Sequence, residues 1–476
     1  MWGGITPTSK LVHSSIVNCS KLSFSVHVDT CGKVYIPCAQ IPIEVFHMTE
    51  GYKAYRDKVL NFLEDHEKWR SHTINLIASE NVTSPSVTRA VASGFMHKYA
   101  EGWPKQRYYQ GCKYVDEVEL IGVELFVKLF GSDFADLRPI SGTNANQAVF
   151  FGLTQPGDKA IVLHTSHGGH ISHMPFGAAG MRGLEVHTWP FDNEEFNIDV
   201  DKAEKLIREL EPKIVVFGGS LFPFPHPVKE LAPVAKEVGA YVMYDAAHVL
   251  GLIAGKQFQD PLREGVDIIT ASTHKTFPGP QGGVILYKRF GETEEIAKLQ
   301  WAIFPGVLSN HHLHHMAGKV ITAAEMLEYG EKYAAQVVKN AKALAEALAE
   351  EGFKVIGEDK GYTESHQVIV DVSDLHEAAG GWAAPLLEEA GIILNKNLLP
   401  WDPLEKVNEP SGLRIGVQEM TRVGMMEDDM KEIAHFIKRV LIDKEDPKKV
   451  ERDVFYFRQN FQKVYYSFDY GLPLRE

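Results

Sequence analysis

The chain is poor in cysteine and has no long apolar run. Its 476 residues include four cysteines. Cys19, Cys31 and Cys38 lie within the first forty positions, and Cys112 is the only other one. That distribution argues against a disulfide-built fold and favours a reducing compartment, so we predict a cytoplasmic protein. No apolar run approaches the roughly 20 residues that a membrane span needs, so we predict no membrane association.

Positive charge is also in short supply. The chain has 49 Lys and Arg against 63 Asp and Glu, a formal net charge of −14. This balance argues against bulk binding to a nucleic-acid backbone. An apolar content of 44% and a charged content of 24% are ordinary for a soluble globular enzyme. The length leaves room for a large core and predicts two domains with appendages.

The first segment differs from the rest of the chain. Residues 1–47 contain no Arg and show neither the amphipathic pattern of a transit peptide nor the apolar core of a signal peptide. We interpret them as an irregular extension translated from an upstream start codon, with Met48 as the functional beginning. The remaining segments are predicted as a helical arm (48–114), a large domain (115–319), a small α+β domain (320–442) and a charged, aromatic tail (443–476).

Short apolar strands alternate with helical patterns through the predicted large domain. Continuous apolar runs at 160–163, 214–217 and 241–244 are separated by amphipathic segments. This alternation is typical of an α/β fold with a mostly parallel sheet. A further helix is predicted to begin near Asn146. Sheets of this kind bind ligands at the carboxyl ends of their strands.

An Asp and a Lys in the large domain suggest a pyridoxal phosphate site. Asp245 ends an apolar strand, and Lys275 follows thirty residues later among hydroxyl residues and glycines. A lysine amine is needed to form a Schiff base with the cofactor aldehyde. A carboxylate is needed to keep the pyridine nitrogen protonated, so that the ring withdraws electrons. A helix-capping Asp and a surface Lys are the alternatives, and this spacing favours the cofactor site.

Three other patterns point to ligand binding with less specificity. Residues 141–143, Ser-Gly-Thr, precede a helix and suit a phosphate, although such a turn is also a common helix cap. Arg414 lies in a glycine-flanked segment, where a planar guanidinium suits either a carboxylate ligand or a surface salt bridge. Four histidines crowd residues 164–173 and raise the alternative of a zinc site, but no cysteine lies close in sequence.

Several motifs together resemble the serine hydroxymethyltransferase family, most closely its archaeal branch, over residues 52–440. They are the segments 76–81, 98–102, 107–109, 141–146, 167–170, 245–248, 273–276 and 411–416. The resemblance implies an α/β architecture of PLP fold type I, with a large domain and a smaller C-terminal α+β domain. It also implies a homodimer with shared active sites. The implied reaction converts serine and a tetrahydropterin reversibly to glycine and the methylene-pterin, in one-carbon metabolism and glycine and amino-acid biosynthesis.

The resemblance assigns roles residue by residue. The implied catalytic residues are Lys275, Glu101, Tyr109 and Thr273. The implied cofactor-binding residues are Ser141, Gly142, Thr143, His170, Ser220, Asp245, His248, His274 and Lys275, with Tyr99 from the neighbouring subunit. The implied substrate-binding residues are Ser79, His248 and Arg414, with Glu101 and Tyr109 from the neighbouring subunit. The implied pterin-binding residues are Thr165, Gly169, Ile171 and Asn397. No metal site is expected.

The chain departs from the family pattern in two places. Gln281 stands where the family has an Arg, so a cation near the site is lost. The loop 304–311 lacks the usual run of glycines, and Ser309 and Asn310 are expected to offer backbone amides to the neighbouring subunit's phosphate instead.

Several functional alternatives remain open at this stage. The pterin carrier is either tetrahydrofolate or a modified archaeal pterin such as tetrahydromethanopterin. The main functional alternative is a folate-independent threonine or allo-threonine aldolase. An aminotransferase and a catalytically silent binding protein fit the motifs less well.

Overall fold

The computed structural model describes residues 51–289 and 293–474, together with two short strands at 27–28 and 34–35. The rest of the predicted extension, 1–47, lies outside the described residues. The helices are α1 Lys53–Ser71, α2 Pro85–Val91, α3 Lys113–Phe130, α4 Gly142–Leu153, α5 Ala178–Arg182, α6 Val200–Leu210, α7 Val228–Glu237, α8 Leu250–Ala254, α9 Pro261–Glu264, α10 Thr293–Trp301, α11 Leu313–Glu350, α12 Ala379–Glu389, α13 Gln418–Arg422, α14 Glu427–Leu441 and α15 Pro447–Arg458. Within the described part of the chain, no helix is long and apolar enough to cross a membrane.

The strands are mostly short. They are β1 His27–Val28, β2 Val34–Tyr35, β3 Ile74–Asn75, β4 Gly102–Trp103, β5 Gln106–Arg107, β6 Phe134–Asp136, β7 Lys159–Val162, β8 Glu185–Thr188, β9 Phe191–Asp192, β10 Asn197–Ile198, β11 Ile214–Gly218, β12 Tyr241–Asp245, β13 Ile268–Ser272, β14 Gly283–Tyr287, β15 Lys354–Val355, β16 Gln367–Asp371, β17 Ile392–Ile393, β18 Asn395–Asn397 and β19 Gly412–Gly416.

A seven-stranded sheet forms the centre of the large part of the molecule. Its strand order is β6-β14-β13-β12-β11-β7-β8. The five strands from β13 to β8 are parallel, and β14 runs antiparallel to both of its neighbours. Along β11, Val215 and Phe217 pack into one apolar cluster while Ile214 and Val216 pack into another on the opposite face. Burial on both faces explains the continuous apolar runs in the sequence and confirms the predicted α/β fold.

Helix α4 begins earlier than the sequence indicated. It starts at Gly142, because the Ser141 hydroxyl accepts a hydrogen bond from the backbone N–H of Asn144 at 3.0 Å and so caps the first turn. The expected start near Asn146 was therefore wrong by one turn. This shift places Gly142 and Thr143 in the first turn of the helix, where backbone N–H groups lack partners within the helix.

A second, four-stranded sheet lies after the long helix α11. Its order is β15-β16-β19-β18, and every pairing is antiparallel. Helices α12 and α14 contribute Leu387 and Ile433 to the same apolar cluster as Val370 of β16 and Ile415 of β19. The strand β19 carries Arg414, so this sheet brings the predicted carboxylate-binding guanidinium into place.

The C-terminal segment contains a helix that the sequence did not indicate. Helix α15 occupies residues 447–458 of the predicted charged and aromatic tail. The buried Arg458 at its end donates from Nε to the carbonyl of Thr73 at 3.0 Å. Further along, the Tyr466 ring lies 5.6 Å from the ring of Tyr333 on α11. The segment therefore packs against the body of the protein through both polar and aromatic contacts.

A fully buried ion pair joins α11 to α13. Arg422 Nη2 lies 2.7 Å from Glu325 Oε2, and neither side chain is exposed. Removal of one partner leaves the other charge uncompensated in the core, which typically costs about 3–5 kcal/mol. We expect Arg422→Met to lower the free energy of unfolding by about this amount. The measurement is denaturant-induced unfolding. Arg422→Met combined with Glu325→Leu is the control and should recover part of the loss; a double variant no more stable than the single one would contradict this account.

Candidate active site

The predicted pyridine partner, Asp245, is buried at the carboxyl end of β12. Its carboxylate accepts hydrogen bonds from Asn146 Nδ2 at 2.8 Å, from His173 Nε2 at 3.0 Å and from the backbone N–H of Ala247 at 3.0 Å. Burial alone would raise the pKa of Asp245, but the hydrogen bond and charge of His173, with Asn146 assisting, hold it below its usual range. The carboxylate is therefore ionised at neutral pH and suits a protonated ring nitrogen.

Lys275 lies just beyond the end of the neighbouring strand, β13. Its Nζ atom is 3.0 Å from the hydroxyl of Ser272, and the side chain is buried. Burial lowers the pKa of Lys275 to about 8; the charge of Asp245 acts against this shift, and the charge of Arg414 reinforces it. A lysine of this kind has an accessible neutral form near physiological pH, which a nucleophilic amine requires.

The predicted phosphate end of the site lies at the start of α4. Since the Ser141 hydroxyl and carbonyl accept from the N–H groups of residues 144 and 145, the first-turn N–H groups of Gly142 and Thr143 remain directed outward. A side chain at Gly142 would place its Cβ 2.6 Å from the Ser272 hydroxyl and 3.4 Å from the Ser272 backbone nitrogen, so the start of the helix lies close against the end of β13.

The residues present fit pyridoxal phosphate. His274, beside Lys275, has a buried Nδ1 atom with no hydrogen-bond partner in the described structure. Buried polar atoms are normally paired, so this atom is suited to hydrogen-bond a ligand. Burial lowers the pKa of His274 to about 3, so the ring is neutral. The N–H groups at the start of α4, the neutral His274, the amine of Lys275 and the carboxylate of Asp245 match the phosphate, aldehyde and ring nitrogen of that cofactor.

A cavity of about 300 Å³ has His170 and Arg414 on its wall, and both side chains interact electrostatically with Lys275. Burial lowers the pKa of His170 to about 4, so its ring is neutral and suited to stacking on an aromatic cofactor. Arg414 donates from Nη1 to the carbonyl of Ser220 at 2.8 Å and from Nε to Asn395 Oδ1 at 3.1 Å. Burial lowers the pKa of Arg414 to about 10, which leaves it charged at neutral pH. The predicted site residues on the cavity wall are Thr165, Gly169, His170, Ile171, Ser220, Asn397 and Arg414.

Three other predicted residues lie around this centre. The buried ring of His248 places Nδ1 3.1 Å from Gln367 Nε2, and burial drives its pKa well below the usual value. Ser79 lies on the wall of a separate cavity of about 680 Å³, together with His274 and Gln281. The hydroxyl of Thr273 donates to the carbonyl of Pro280 at 2.9 Å and so holds the loop after Lys275.

The residues expected to act in the neighbouring subunit form a group of their own. Tyr99, Glu101 and Tyr109 are absent from the described residues that line it. The rings of Tyr99 and Tyr109 are 5.2 Å apart, and their side chains are 51% and 45% exposed. The charge of Glu101 and burial raise the pKa of Tyr109. The structure thus brings these three together as one exposed group.

The altered loop 304–311 is joined to that group by its side chains. The Ser309 hydroxyl donates to the carboxylate of Glu101. Asn310 accepts from the backbone N–H of Ala100 at 2.9 Å and donates to the carbonyl of Lys98 at 3.0 Å, so it holds the backbone on both sides of Tyr99. The expected role of backbone amides 309 and 310 toward a phosphate stays a prediction.

The four crowded histidines point to different partners. His164 contacts Ser166 at 2.8 Å, His167 stacks on Phe191 at 4.6 Å, His170 contacts Ser172 at 2.7 Å and His173 binds Asp245. Among the residues that the structure describes, no group of three or more His, Cys, Asp or Glu side chains has a metal-binding arrangement. The histidines therefore serve the cofactor pocket and its surroundings.

Sequence reasoning missed two residues that hold Asp245. Asn146 donates to Asp245 and accepts from the Thr270 hydroxyl at 2.5 Å, so it links α4 to both β12 and β13. His173 also donates to the carboxylate, from Nε2 at 3.0 Å. The available signal was a buried-looking polar residue at the start of a helix, in the Ser-Gly-Thr-Asn-Ala-Asn motif, and a histidine after a predicted strand.

The lowered pKa of Lys275 can be tested without turnover. A pKa of about 8 leaves roughly a tenth of the amine neutral at pH 7. In cofactor-free protein, we expect reductive labelling of Lys275 by a small aldehyde, followed by peptide mass spectrometry, to show a midpoint near pH 8. Arg414→Gln should raise that midpoint, because it removes a positive charge. Lys202 is the internal control, since its bond to Asp199 raises its pKa; equal midpoints for the two lysines would contradict the assignment.

Comparison with known proteins agrees with this geometry. The family model "Serine hydroxymethyltransferase" matches residues 53–437. A serine hydroxymethyltransferase of Thermococcus gammatolerans is 95% identical over 426 residues, which cover 90% of this chain and 100% of that protein. One of Pyrococcus abyssi is 90% identical over 426 residues, covering 90% and 100%. One of Methanocaldococcus jannaschii is 57% identical over 411 residues, covering 86% and 95%.

Proposed function

The chain belongs to the serine hydroxymethyltransferase family, and from this premise we propose how its residues carry out the one-carbon transfer between serine and a reduced pterin. The main interpretation of the sequence is confirmed over the aldolase alternative by the names of these relatives. The observation that carries the proposal is the burial of Asp245 and Lys275 at adjacent strand ends, beside a cavity that contains Arg414.

Pyridoxal phosphate, when bound, supplies an electrophilic carbonyl and a ring that accepts the electron pair released at the substrate α-carbon. Lys275 provides the amine that anchors the cofactor, and its neutral form also accepts a proton from the incoming amino group. Asp245 keeps a proton on the pyridine nitrogen, because its ionised carboxylate is buried and already held by two side chains. His170, on the cavity wall, would cover the ring face of the bound cofactor and exclude water from it.

Arg414 binds and orients the amino acid. Its guanidinium is fixed by Ser220 and Asn395, so the remaining N–H groups present a planar pair of donors to the substrate carboxylate. In the proposal, Ser79 and His248 assist Arg414 in binding the substrate carboxylate. A carboxylate held at one point leaves the bond between the α- and β-carbons free to align for cleavage.

Glu101 is the proposed acid and base at the serine hydroxyl. It would remove the hydroxyl proton as the carbon–carbon bond breaks and return a proton in the reverse direction. Tyr109 lies beside it and is protonated, because the nearby Glu101 charge raises its pKa. Neither residue lines the 300 Å³ cavity of its own subunit, and the proposal places both in the site of a neighbouring subunit, so that each subunit of a homodimer completes the other's site.

The reduced pterin is proposed to enter over the outer part of the cavity. Thr165, Gly169, Ile171 and Asn397 line its wall and suit a flat, polar ring with hydrogen-bonding edges. Tetrahydrofolate and tetrahydromethanopterin share that ring, and the carrier is proposed only as a tetrahydropterin. A cytoplasmic location is also part of the proposal; it is supported by Cys112, the one cysteine within the described residues, which is a buried free thiol.

The activity is tested by conversion of serine to glycine with each carrier. We expect cofactor-loaded protein to produce glycine and methylene-pterin with tetrahydrofolate, with tetrahydromethanopterin or with both, and to be much slower with no pterin. Lys275→Ala should abolish turnover and the visible absorbance of the lysine-bound cofactor, because no other amine lies at that position. Pterin-independent cleavage of threonine that exceeded serine turnover would instead favour the aldolase.

The shared site is tested by subunit complementation. Lys275→Ala and Glu101→Ala homodimers should each be inactive, but a mixed dimer contains one site with both native residues. We therefore expect activity to return when the two inactive variants are unfolded together and refolded, measured as glycine formation. The matched control mixes Lys275→Ala with Asp245→Ala, because in the proposal both residues belong to the site of the same subunit. No hybrid of these two variants contains an intact site.

The control separates the two arrangements. A hybrid of Lys275→Ala with Asp245→Ala leaves every site short of one residue if both act in one subunit, so its activity should stay absent. If the Glu101 pair failed to recover while the refolded wild-type protein was active, Glu101 would act within its own subunit. That outcome would overturn the shared-site proposal without touching the assignment of Lys275.

A further inference from the structure

A short segment, 76–81, lies between the elements that carry Arg414 and Lys275. Ser79 belongs to this segment. The backbone N–H of Gly416, at the end of β19, donates to the carbonyl of Leu76 at 2.8 Å. A side chain at Gly416 would place its Cβ 2.4 Å from the Ala78 Cα, so the segment packs directly on the end of β19. Ser79 is therefore positioned by contacts with the strand that carries Arg414.

Gln418 fixes the segment by its side chain. Its Nε2 atom donates to the carbonyl of Ile77 at 2.8 Å and to that of Glu80 at 2.6 Å. The residue is fully buried, and its Oε1 atom has no partner within the described structure. Buried carbonyls need donors, so one amide group holds the backbone on both sides of Ser79. Gln418 lies only four residues after Arg414.

The same contacts extend to Lys275 and close a ring. Asn81, at the end of the segment, donates from Nδ2 to the backbone carbonyl of Lys275 at 2.6 Å and to the Tyr333 hydroxyl at 2.8 Å. The Tyr333 hydroxyl in turn donates to the backbone carbonyl of Gln418 at 3.1 Å. The ring itself consists of the segment 76–81, Tyr333 of α11 and Gln418 of α13. Lys275 is attached to it through Asn81, and β19 of the second sheet is attached through Gly416.

We propose that Gln418 is a positioning residue for the reaction: through this ring it sets Ser79 and Arg414 at a fixed placement relative to Lys275. The inference rests on the proposed function, in which Ser79 and Arg414 bind the substrate carboxylate and Lys275 anchors the cofactor. A substrate held at one end and reacting at the other loses rate when these groups shift by even about an ångström. Gln418 itself lies outside the 300 Å³ cavity wall and acts only through the segment.

A purely structural role for Gln418 makes a different prediction, and the chain offers a matched control. Gln336, a buried residue of α11, also donates twice from Nε2, to Asn340 Oδ1 at 2.8 Å and to Glu427 Oε2 at 2.8 Å. Its partners belong to neither the segment 76–81 nor the loop of Lys275. Gln418→Met and Gln336→Met thus remove the same donor group from two buried places, only one of which belongs to the ring.

The experiment compares Gln418→Met, Tyr333→Phe and Gln336→Met in the full chain. Tyr333→Phe removes only the hydroxyl of the ring and serves if Gln418→Met folds poorly. Hydrogen exchange of cofactor-free protein, followed by mass spectrometry, reports the segment directly. We expect peptides that contain residues 76–81 to exchange about tenfold faster or more in Gln418→Met, since loss of one buried hydrogen bond is worth about that factor. In Gln336→Met those peptides should match the wild type.

Steady-state kinetics of the cofactor-loaded proteins give the functional readout. We expect Gln418→Met and Tyr333→Phe to raise the KM for serine by about tenfold, more than they lower kcat, because carboxylate binding is displaced. Gln336→Met should keep the wild-type KM even where its Tm falls by a similar amount. Wild-type KM and wild-type exchange of 76–81 in Gln418→Met would overturn the inference.

Ser79→Ala separates failure of this inference from failure of the proposed function. If Ser79→Ala raises the KM for serine and adding Gln418→Met raises it little further, the two act through one contact, as the inference requires. If Ser79→Ala raises the KM and Gln418→Met does not, the inference is wrong and the carboxylate site stands. If neither Ser79→Ala nor Arg414→Gln changes the KM, the proposed substrate site itself is wrong.

Discussion

The rest of the site depends on one constraint, the burial of an ionised carboxylate at the end of a central strand. An unpaired charge in a protein interior costs several kcal/mol, so Asp245 needs donors from its surroundings. Two of them are side chains, Asn146 of α4 and His173 of the turn after His170. Because each donor fixes the element that carries it, the carboxylate also determines where the phosphate-binding start of α4 and the ring-covering His170 lie.

The same charge acts on Lys275, one of the two cations of the site. The amine of Lys275 and the guanidinium of Arg414 are both buried, and burial lowers both pKa values. The Asp245 charge opposes that shift for Lys275, while Arg414 adds to it. The outcome is one group with an accessible neutral form and another that stays charged. The difference follows from the higher intrinsic basicity of the guanidinium, because the Asp245 charge by itself would keep Lys275 protonated.

Sequence reasoning succeeded where the signal is local and failed where it is a long-range hydrogen bond. Continuous apolar runs predicted β7, β11 and β12, because strands buried on both faces need them. Strand β13 was missed because its Thr270 and Ser272 interrupt the apolar run. These two side chains hydrogen-bond Asn146 and Lys275 of the site. Lys275, Asp245, His170 and Arg414 were predicted from motifs, and the structure brings them together. Asn146 and Gln418 were not, because their partners lie 99 and 341 residues away, which no local pattern indicates.

The backbone around Glu101 is held by hydrogen bonds within its own subunit, and these contacts affect how a shared site would be assembled. Arg107, whose side chain is 3% exposed, donates to Asp116 at 2.8 Å and to the carbonyls of Ala100 and Gly102 at 2.9 and 3.0 Å. The backbone on both sides of Glu101 is therefore fixed within its own subunit. Dimer formation then costs little conformational entropy at this loop, because a preformed surface is already ordered before binding. The geometry of a proposed two-subunit site is thus built into each subunit alone.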